Sequence, residues 1–486
     1  MKRNTTWFGL TLSMLLLTAL ACAPARAQQP DLSGAWLGTL RAGAVELRLV
    51  LHLTRQADGT YRGALDSPDQ GARGIPASSV EVKGDSVHVA VTSLNMVYRG
   101  QVQPGGDQIT GTFTQHGASF PLDLARTDEV PGSGPRPQDP KEPLPYHSED
   151  VTYENPAAGV RLAGTFTRPR EPGRYPTALL ISGSGPQDRN EELMGHRPFL
   201  VLADHLTRRG IAVLRVDDRG VGESTGDFST ATSADFASDV LAGVAYLKSR
   251  DDVDPAAIGL IGHSEGGLIA PMVAAESDDV AWIVLMAGPG LPGDSILILQ
   301  SALIARASGA PEMAIAMNHE IQRTLFKVLR EEPSDSAARQ RARAALRELH
   351  ELSRASLGQP PAEGAEAEAL DAAIEQQVRQ VVTPWFRYFI DYDPRPTLRR
   401  VKVPVFAVNG SLDLQVPSQP NLAAIREALE QGGNRNVTTV EFPGLNHLFQ
   451  TAKTGAPSEY AQIEETMAPA VMEKIADWVL EVSGRR

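Results

Sequence analysis

Cysteine is almost absent: Cys22 is the only one in 486 residues. It lies in an N-terminal apolar stretch, and removal of that stretch leaves a chain without disulfides, thiolate nucleophiles or cysteine metal sites. Basic residues are also scarce, with 46 Lys and Arg against 59 Asp and Glu and a net charge of −13. Loss of Lys2, Arg3 and Arg26 with the N-terminal stretch takes it to −16. Such an acidic chain suits neither nucleic acid nor an anionic membrane surface. Beyond Leu20 no run reaches the about 20 apolar residues of a membrane-spanning helix, so no stable membrane insertion is expected. No His-Glu-x-x-His is present, and no His/carboxylate spacing argues for a metal. Gly183-x-Gly185 and Gly220-x-Gly222 resemble pieces of nucleotide fingerprints. Neither is completed by a third glycine at the right spacing or followed by Lys-Ser/Thr, so no cofactor is expected.

The N-terminus has the layout of an export signal. Lys2 and Arg3 precede an apolar core from Trp7 to Leu20, and Ala25-Arg26-Ala27 forms an A-x-A cleavage site. Residues 1–27 are therefore expected to be removed and the mature chain, from Gln28, to be secreted or periplasmic. The alternative is a lipid anchor on Cys22, although its lipobox leucine is displaced by one position.

At 42% hydrophobic and 22% charged residues the chain is globular in composition, and its length exceeds what one core usually supports. Residues 28–130 read as an all-β domain. Val45, Leu47, Leu49, Leu51 and Leu53 alternate with more polar neighbours at the period of a half-buried strand, and shorter runs repeat the pattern between Gly/Asp turns. An antiparallel meander curling into a small barrel or sandwich is expected. Gly34-x-Trp36 resembles the start of lipocalin-like barrels, but a lone Trp there reads as core. Residues 131–150, rich in Pro, Gly and charge, read as a linker.

From residue 151 short apolar strands alternate with helices. Strands are expected at 178–182, 211–216, 258–262, 281–287, 403–408 and 438–442, with helices at 197–209, 233–248 and 467–482. That alternation predicts a mostly parallel sheet covered on both faces. One insertion, 291–396, interrupts it with helical stretches at 294–307, 311–330 and 336–356. A low-complexity segment, 358–369, and the aromatics Trp385, Phe386, Tyr388 and Phe389 follow. The insertion reads as a helical cap whose aromatics either pack it onto the sheet or line an acyl pocket.

The chemistry centres on Gly262-His263-Ser264-Glu265-Gly266. An apolar strand ends in Gly-x-Ser-x-Gly and an apolar helical pattern follows at once, which places Ser264 on a strained strand-to-helix turn, a nucleophile elbow. Gly222-Glu223-Ser224-Thr225-Gly226 has the same spacing, but Asp217-Asp218-Arg219-Gly220 precedes it and no apolar helix follows. A serine needs a base, and the base an orienting carboxylate. Asp413 follows the 403–408 strand and His447 follows the 438–442 strand, in the chain order Ser, acid, His. Asp391 and Asp393 precede their strand and are the weaker acids. His263 reads as a packing residue pointing away from Ser264. The oxyanion donors are expected at the backbone N–H groups of Glu265 and of Ser184, in the loop Gly183-Ser184-Gly185-Pro186.

These segments, with Asp66-Ser67-Pro68-Asp69-Gln70-Gly71 in the β domain and Gly410-Ser411-Leu412-Asp413 and Gly444-Leu445-Asn446-His447 near the end, resemble secreted bacterial α/β-hydrolases. The similarity is to esterases and to prolyl-oligopeptidase-like or dienelactone-hydrolase-like proteins with an N-terminal β domain. It implies a serine esterase acting on a small-molecule ester first and a serine peptidase second. Dienelactone-type relatives use a cysteine where Ser264 stands, and there is no propeller-length N-terminal region. A non-catalytic binding protein built on the fold is the third reading.

Overall fold

The computed structural model describes residues 31–42, 45–56, 58–70, 72–115, 118–130, 136–356 and 358–485. The export signal read in 1–27, with Cys22, lies outside the described residues. Among the described residues no helix is long and apolar enough to cross a membrane.

The first ten strands, β1 (Gly34–Ala42) to β10 (Leu124–Thr127), form one antiparallel sheet. Its two end strands, Ala72–Pro76 and Ser79–Lys83, are separated in the chain by two residues only. The sheet must therefore curl back on itself. Ala77 N–H bonds Gly63 O and Ser78 N–H bonds Ala90 O across the join. Leu49, Leu51 and Leu53 face the interior with Trp36, whose indole N–H is satisfied by Leu32 O at 2.9 Å. Trp36 is thus core.

The stretch read as a linker is no free spacer over its described part. Arg136 donates to the carbonyls of Met194, Gly195, Ala461 and Ile463, Gln138 bonds Thr466 and Met467, and His147 already begins a strand.

That strand, β11 (His147–Asn155), opens an eight-stranded sheet with β12 (Val160–Arg168), β13 (Tyr175–Ile181), β14 (Ala212–Val216), β15 (Val253–His263), β16 (Trp282–Met286), β17 (Val405–Gly410) and β18 (Val437–Phe442). The order is β11-β12-β14-β13-β15-β16-β17-β18. The first two pairings are antiparallel and the rest parallel. The chain passes from β13 outward to β14, then returns past β13 to β15. The C-terminal ends of β13 and β15, paired at Ile181 and Gly262, are thus the topological switch point where such sheets bind ligands.

The central strands are apolar on both faces because helices cover both. On one side α1 (Pro198–Arg208) and α11 (Pro469–Val482) bury Phe199, Leu202, Leu206, Val471, Ile475 and Val479. On the other lie α2 (Ser233–Lys248), started by a Thr232/Asp235 capping box, α3 (Gly266–Ala274) and α10 (Ser418–Gln431). This is the α/β-hydrolase sheet.

Between β16 and β17 the insertion folds as α4 (Gly293–Ala307), α5 (Glu312–Glu331), α6 (Asp335–Ser356), α7 (Ala365–Val381), α8 (Pro384–Asp391) and α9 (Pro394–Leu398). It has its own small core around Phe326, Leu329, Leu346, Val378 and Ile390. Most of α7 lies beyond the segment read as low-complexity, and its first residues lie within it. The aromatic group sits on α8.

Candidate active site

β15 delivers Ser264 to the switch point. Ser264 has φ +53°, a conformation rarely adopted by residues other than glycine. Its N–H is tied to Met286 O at 2.8 Å. A Cβ on Gly262 would run into the Gly266 carbonyl, and one on Gly266 into the carbonyl of Ile181. Both motif glycines are therefore demanded by backbone packed on backbone.

Asp413, in the turn after β17, is buried. Its Oδ1 accepts the N–H groups of Gln415 and Val416, both at 2.8 Å, and its Oδ2 faces His447 Nδ1 at 2.8 Å. His447 follows β18 in a loop that the Asn446 side chain braces by accepting the Leu448 and Gln450 N–H groups. Ser264, His447, Ser184 and Glu265 all line one pocket of about 320 Å³, which the cap closes with Ile296, Leu297, Trp385 and Phe389. Trp385 and Phe389 stack at 5.1 Å. The sequence-derived acid, base and nucleophile are thus brought together. The rival acids are elsewhere: Asp391 pairs with Arg330, and Asp393 caps α9 and pairs with Arg395.

Glu265 stands at the N-cap of α3, so its own backbone N–H precedes the helix and has no i−4 acceptor within it. Its side chain is also engaged. Buried, it accepts Ser233 Oγ at 2.6 Å and the Trp385 indole N–H at 2.7 Å. Burial holds this carboxyl above the usual carboxylate range, against the lowering effect of its hydrogen bonds. Ser184 lines the pocket, while the neighbouring Gly183 N–H is already given to Glu191 Oε1 at 2.7 Å.

His263 is more than packing. It lines the same pocket, and its ring bonds Glu191 and the backbone carbonyl of His447. Glu191 was not legible beforehand, since it sits in an irregular loop at φ +52° with no periodicity to mark it. One further spacing escaped the sequence reading. Gly288 to Gly293, after β16, completes a Gly-x-Gly-x-x-Gly, but its glycines serve packing: Gly288 against Gly267, Gly290 against Asn421 and Gly293 against Phe389. Among the described residues no cluster of three or more His, Cys, Asp or Glu could hold a metal ion.

Residues 158–437 match the family described as X-Pro dipeptidyl-peptidase (S15 family). The esterase EstD of Thermotoga maritima is 25% identical over 345 residues, which cover 70% of this chain and 69% of that protein. A putative hydrolase of Bacillus subtilis, YtaP, is 32% identical over 132 residues, 24% of this chain and 44% of its own. Among solved structures, the esterase Pf2001 of Pyrococcus furiosus aligns at 18% identity and a TM-score of 0.41, covering 72% of this chain and 97% of its own. Est1E of Butyrivibrio proteoclasticus with bound ferulic acid aligns at 18% and 0.39, covering 69% and 99%.

Proposed function

The chain belongs to the X-Pro dipeptidyl-peptidase (S15) family, and from that premise we propose that it is a serine hydrolase cleaving neutral carboxylic esters through an acyl-enzyme. The observation that carries the reading is the placement of Ser264, on its strained turn, in one pocket with a histidine whose Nδ1 is held by a buried carboxylate. With Nδ1 engaged by Asp413, Nε2 is the ring nitrogen left to take the Ser264 proton. Ser264 Oγ attacks the ester carbonyl, and the oxyanion is received by the N–H groups of Glu265 and Ser184. Removing one such donor typically costs about 3 kcal/mol of transition-state stabilisation. His447 returns the proton to the leaving alcohol, and water then releases the acid by the same route.

The family match favours a second reading, an exopeptidase taking X-Pro substrates. Such an enzyme must locate a peptide's N-terminal ammonium, for which a free carboxylate is the natural partner. Only Glu191 and Glu265 line the pocket among the described acidic residues. Glu191 is engaged by Gly183 and His263, and Glu265 by Ser233 and Trp385. The apolar cap wall and the absence of a free carboxylate support an uncharged acyl group instead. A panel of p-nitrophenyl esters beside Xaa-Pro p-nitroanilides tests this. Efficient release from the anilides with weak ester turnover would replace the esterase by the peptidase. The export signal read in residues 1–27 puts the reaction outside the cytoplasm in this proposal. Mass spectrometry of the natively produced chain should find it starting at Gln28, and a retained Met1 or a lipid on Cys22 would count against that.

A further inference from the structure

The histidine that precedes Ser264 has both ring nitrogens facing acceptors. His263 Nδ1 lies 2.9 Å from Glu191 Oε1, and Nε2 lies 3.0 Å from the backbone oxygen of His447. A carboxylate and a carbonyl accept and do not donate, so both nitrogens must donate. A neutral imidazole has a single N–H and would aim a lone pair at one of the two oxygens. The alternative, a neutral glutamic acid donating to a neutral ring, would put its proton on Oε1, the oxygen that already receives the Gly183 N–H. Glu191 and His263 are 5% and 6% exposed. At this depth, losing one partner strands the other's charge.

Three loops meet through these bonds: the one after β13 at Gly183, the elbow after β15, and the one after β18 at His447. The β13–β15 ladder ends at Ile181 and Gly262, just short of Gly183 and His263. Glu191 itself is held at positive φ, a strain that persists where surrounding contacts over-determine it.

We propose that His263 is a positioning residue that works as a buried imidazolium, clamping with Glu191 the His447 loop and the Gly183-Ser184 loop around Ser264. The kinetic part rests on the serine hydrolase reading; the charge state of His263 does not.

The groups facing the ring are Glu191, the His447 ring at 4.9 Å between centroids, Asp413 behind it, and the uncharged Phe449 ring at 6.4 Å. Burial works against the charged ring, but the attraction and hydrogen bond of Glu191 outweigh it, so the His263 pKa is raised. A raised histidine pKa means that the clamp is complete below the ordinary value of about 6.5 and is lost as pH rises through the folded-state value. Clamp loss therefore belongs to the alkaline limb of the activity profile.

Glu191→Gln in the full chain tests the clamp. The expected result is a fall in kcat of about 10-fold or more, the scale of slight misplacement of reacting groups, with KM little changed and the alkaline limb moved to lower pH. Glu191→Asp, which keeps the charge, should restore much of the limb's position. Nitrogen NMR of histidine-labelled protein, with His263 assigned by its absence in His263→Gln, should show an imidazolium in wild type at neutral pH and a neutral ring in Glu191→Gln. A neutral His263 in wild type, or a Glu191→Gln profile superimposable on wild type, would overturn the proposal. The wild-type spectrum decides the matter even if the variant fails to fold. Full activity of Ser264→Ala would instead sink the hydrolase reading and leave that spectrum untouched.

Discussion

Ser224 and Ser264 stand in the same Gly-x-Ser-x-Gly spacing, yet the two turns spend their atoms differently. Ser224 Oγ donates to Asp217 O at 2.8 Å and accepts the Ala163 N–H at 2.9 Å, and the next residue gives its N–H to Arg161 O at 2.8 Å. Hydroxyl and following amide are both consumed in holding a loop to β12. Ser264 instead lines the pocket with His447, and the next residue stands at the start of a helix. Glycine is required in both turns. Gly222 has φ +54° and lies against the Asp217 carboxylate, as Gly262 and Gly266 lie against carbonyls. Motif spacing thus reports a tight turn, and the surroundings of the serine decide whether it faces a pocket or joins loops.

The sharpest way to break this contrast is a pair of alanine substitutions. Ser264→Ala should lower kcat by roughly 10⁴-fold or more, and combining it with His447→Ala should add little, because triad members act as a unit. Ser224→Ala should leave kcat in place and cost about 1–3 kcal/mol of stability, from the polar groups it leaves unsatisfied. A fluorophosphonate adduct should map to the Ser264 peptide. An adduct on Ser224, or near-full activity in Ser264→Ala, would invert the comparison.

Next in size is the anchoring of the structural turn. Arg189 reaches Asp217 with Nη2 at 2.7 Å and also pairs with Glu223 and Asp150. Removing one partner of a buried pair strands the other. Arg189→Ala should therefore destabilise the fold by about 3 kcal/mol, the low end for a site not wholly shut off from water. Chemical denaturation reads this, and a lost kcat with unchanged stability would show the loop acting on chemistry instead.

How much of this was readable from sequence follows from what leaves a pattern. Strands buried on both faces are short apolar runs, so β13 to β18 were located to within a few residues, apart from the early start of β15 at Val253. The hairpin β11-β12 was not. β11 is exposed along most of its first half, and β12 is buried but rich in Gly and Thr. Helix α7 was missed because its Ala/Glu-rich sequence buries little beyond Ile374 and Val378. In the candidate site, the grouping of Ser264, Asp413 and His447 was legible because the fold puts them at strand ends in a fixed chain order. Glu191 and the double bonding of His263 were not, since a residue pair 72 apart in an irregular loop has no sequence signature.

A pH experiment sharpens the contrast further. Asp218, in the structural turn's approach, accepts Ser182 Oγ and Gln187 N–H at 2.9 Å each, and burial pushes its pKa up to about 7. A carboxyl raised in the folded state favours folding most below its unfolded pKa, and that advantage is lost as pH rises through the folded value. Between about pH 4 and 7 wild type should therefore lose stability that Asp218→Asn retains. The Ser182 hydroxyl can turn to accept from the new amide. Parallel stability curves for the two proteins would show that Asp218 does not titrate in this window.

The smallest effect tests how the reactive turn is joined to the cap. Trp385 stacks on Phe389 as a pocket wall and donates its indole N–H to Glu265, the residue whose backbone is proposed to receive the oxyanion. Trp385→Phe keeps an aromatic wall and removes only the N–H, so Glu265 keeps Ser233 and loses one of its donors. A typical hydrogen bond is worth about 0.5–1.5 kcal/mol net, and the remaining partners should hold the loss in kcat/KM to roughly 2- to 10-fold, appearing in kcat. Trp385→Ala removes the wall as well, and a cap acts by excluding water and positioning substrate. It should therefore shift acyl-chain preference more than it lowers Tm. If Trp385→Phe is silent while Trp385→Ala lowers Tm without altering the chain-length profile, the ring is packing only, and the reactive turn is as independent of the cap as the Ser224 turn.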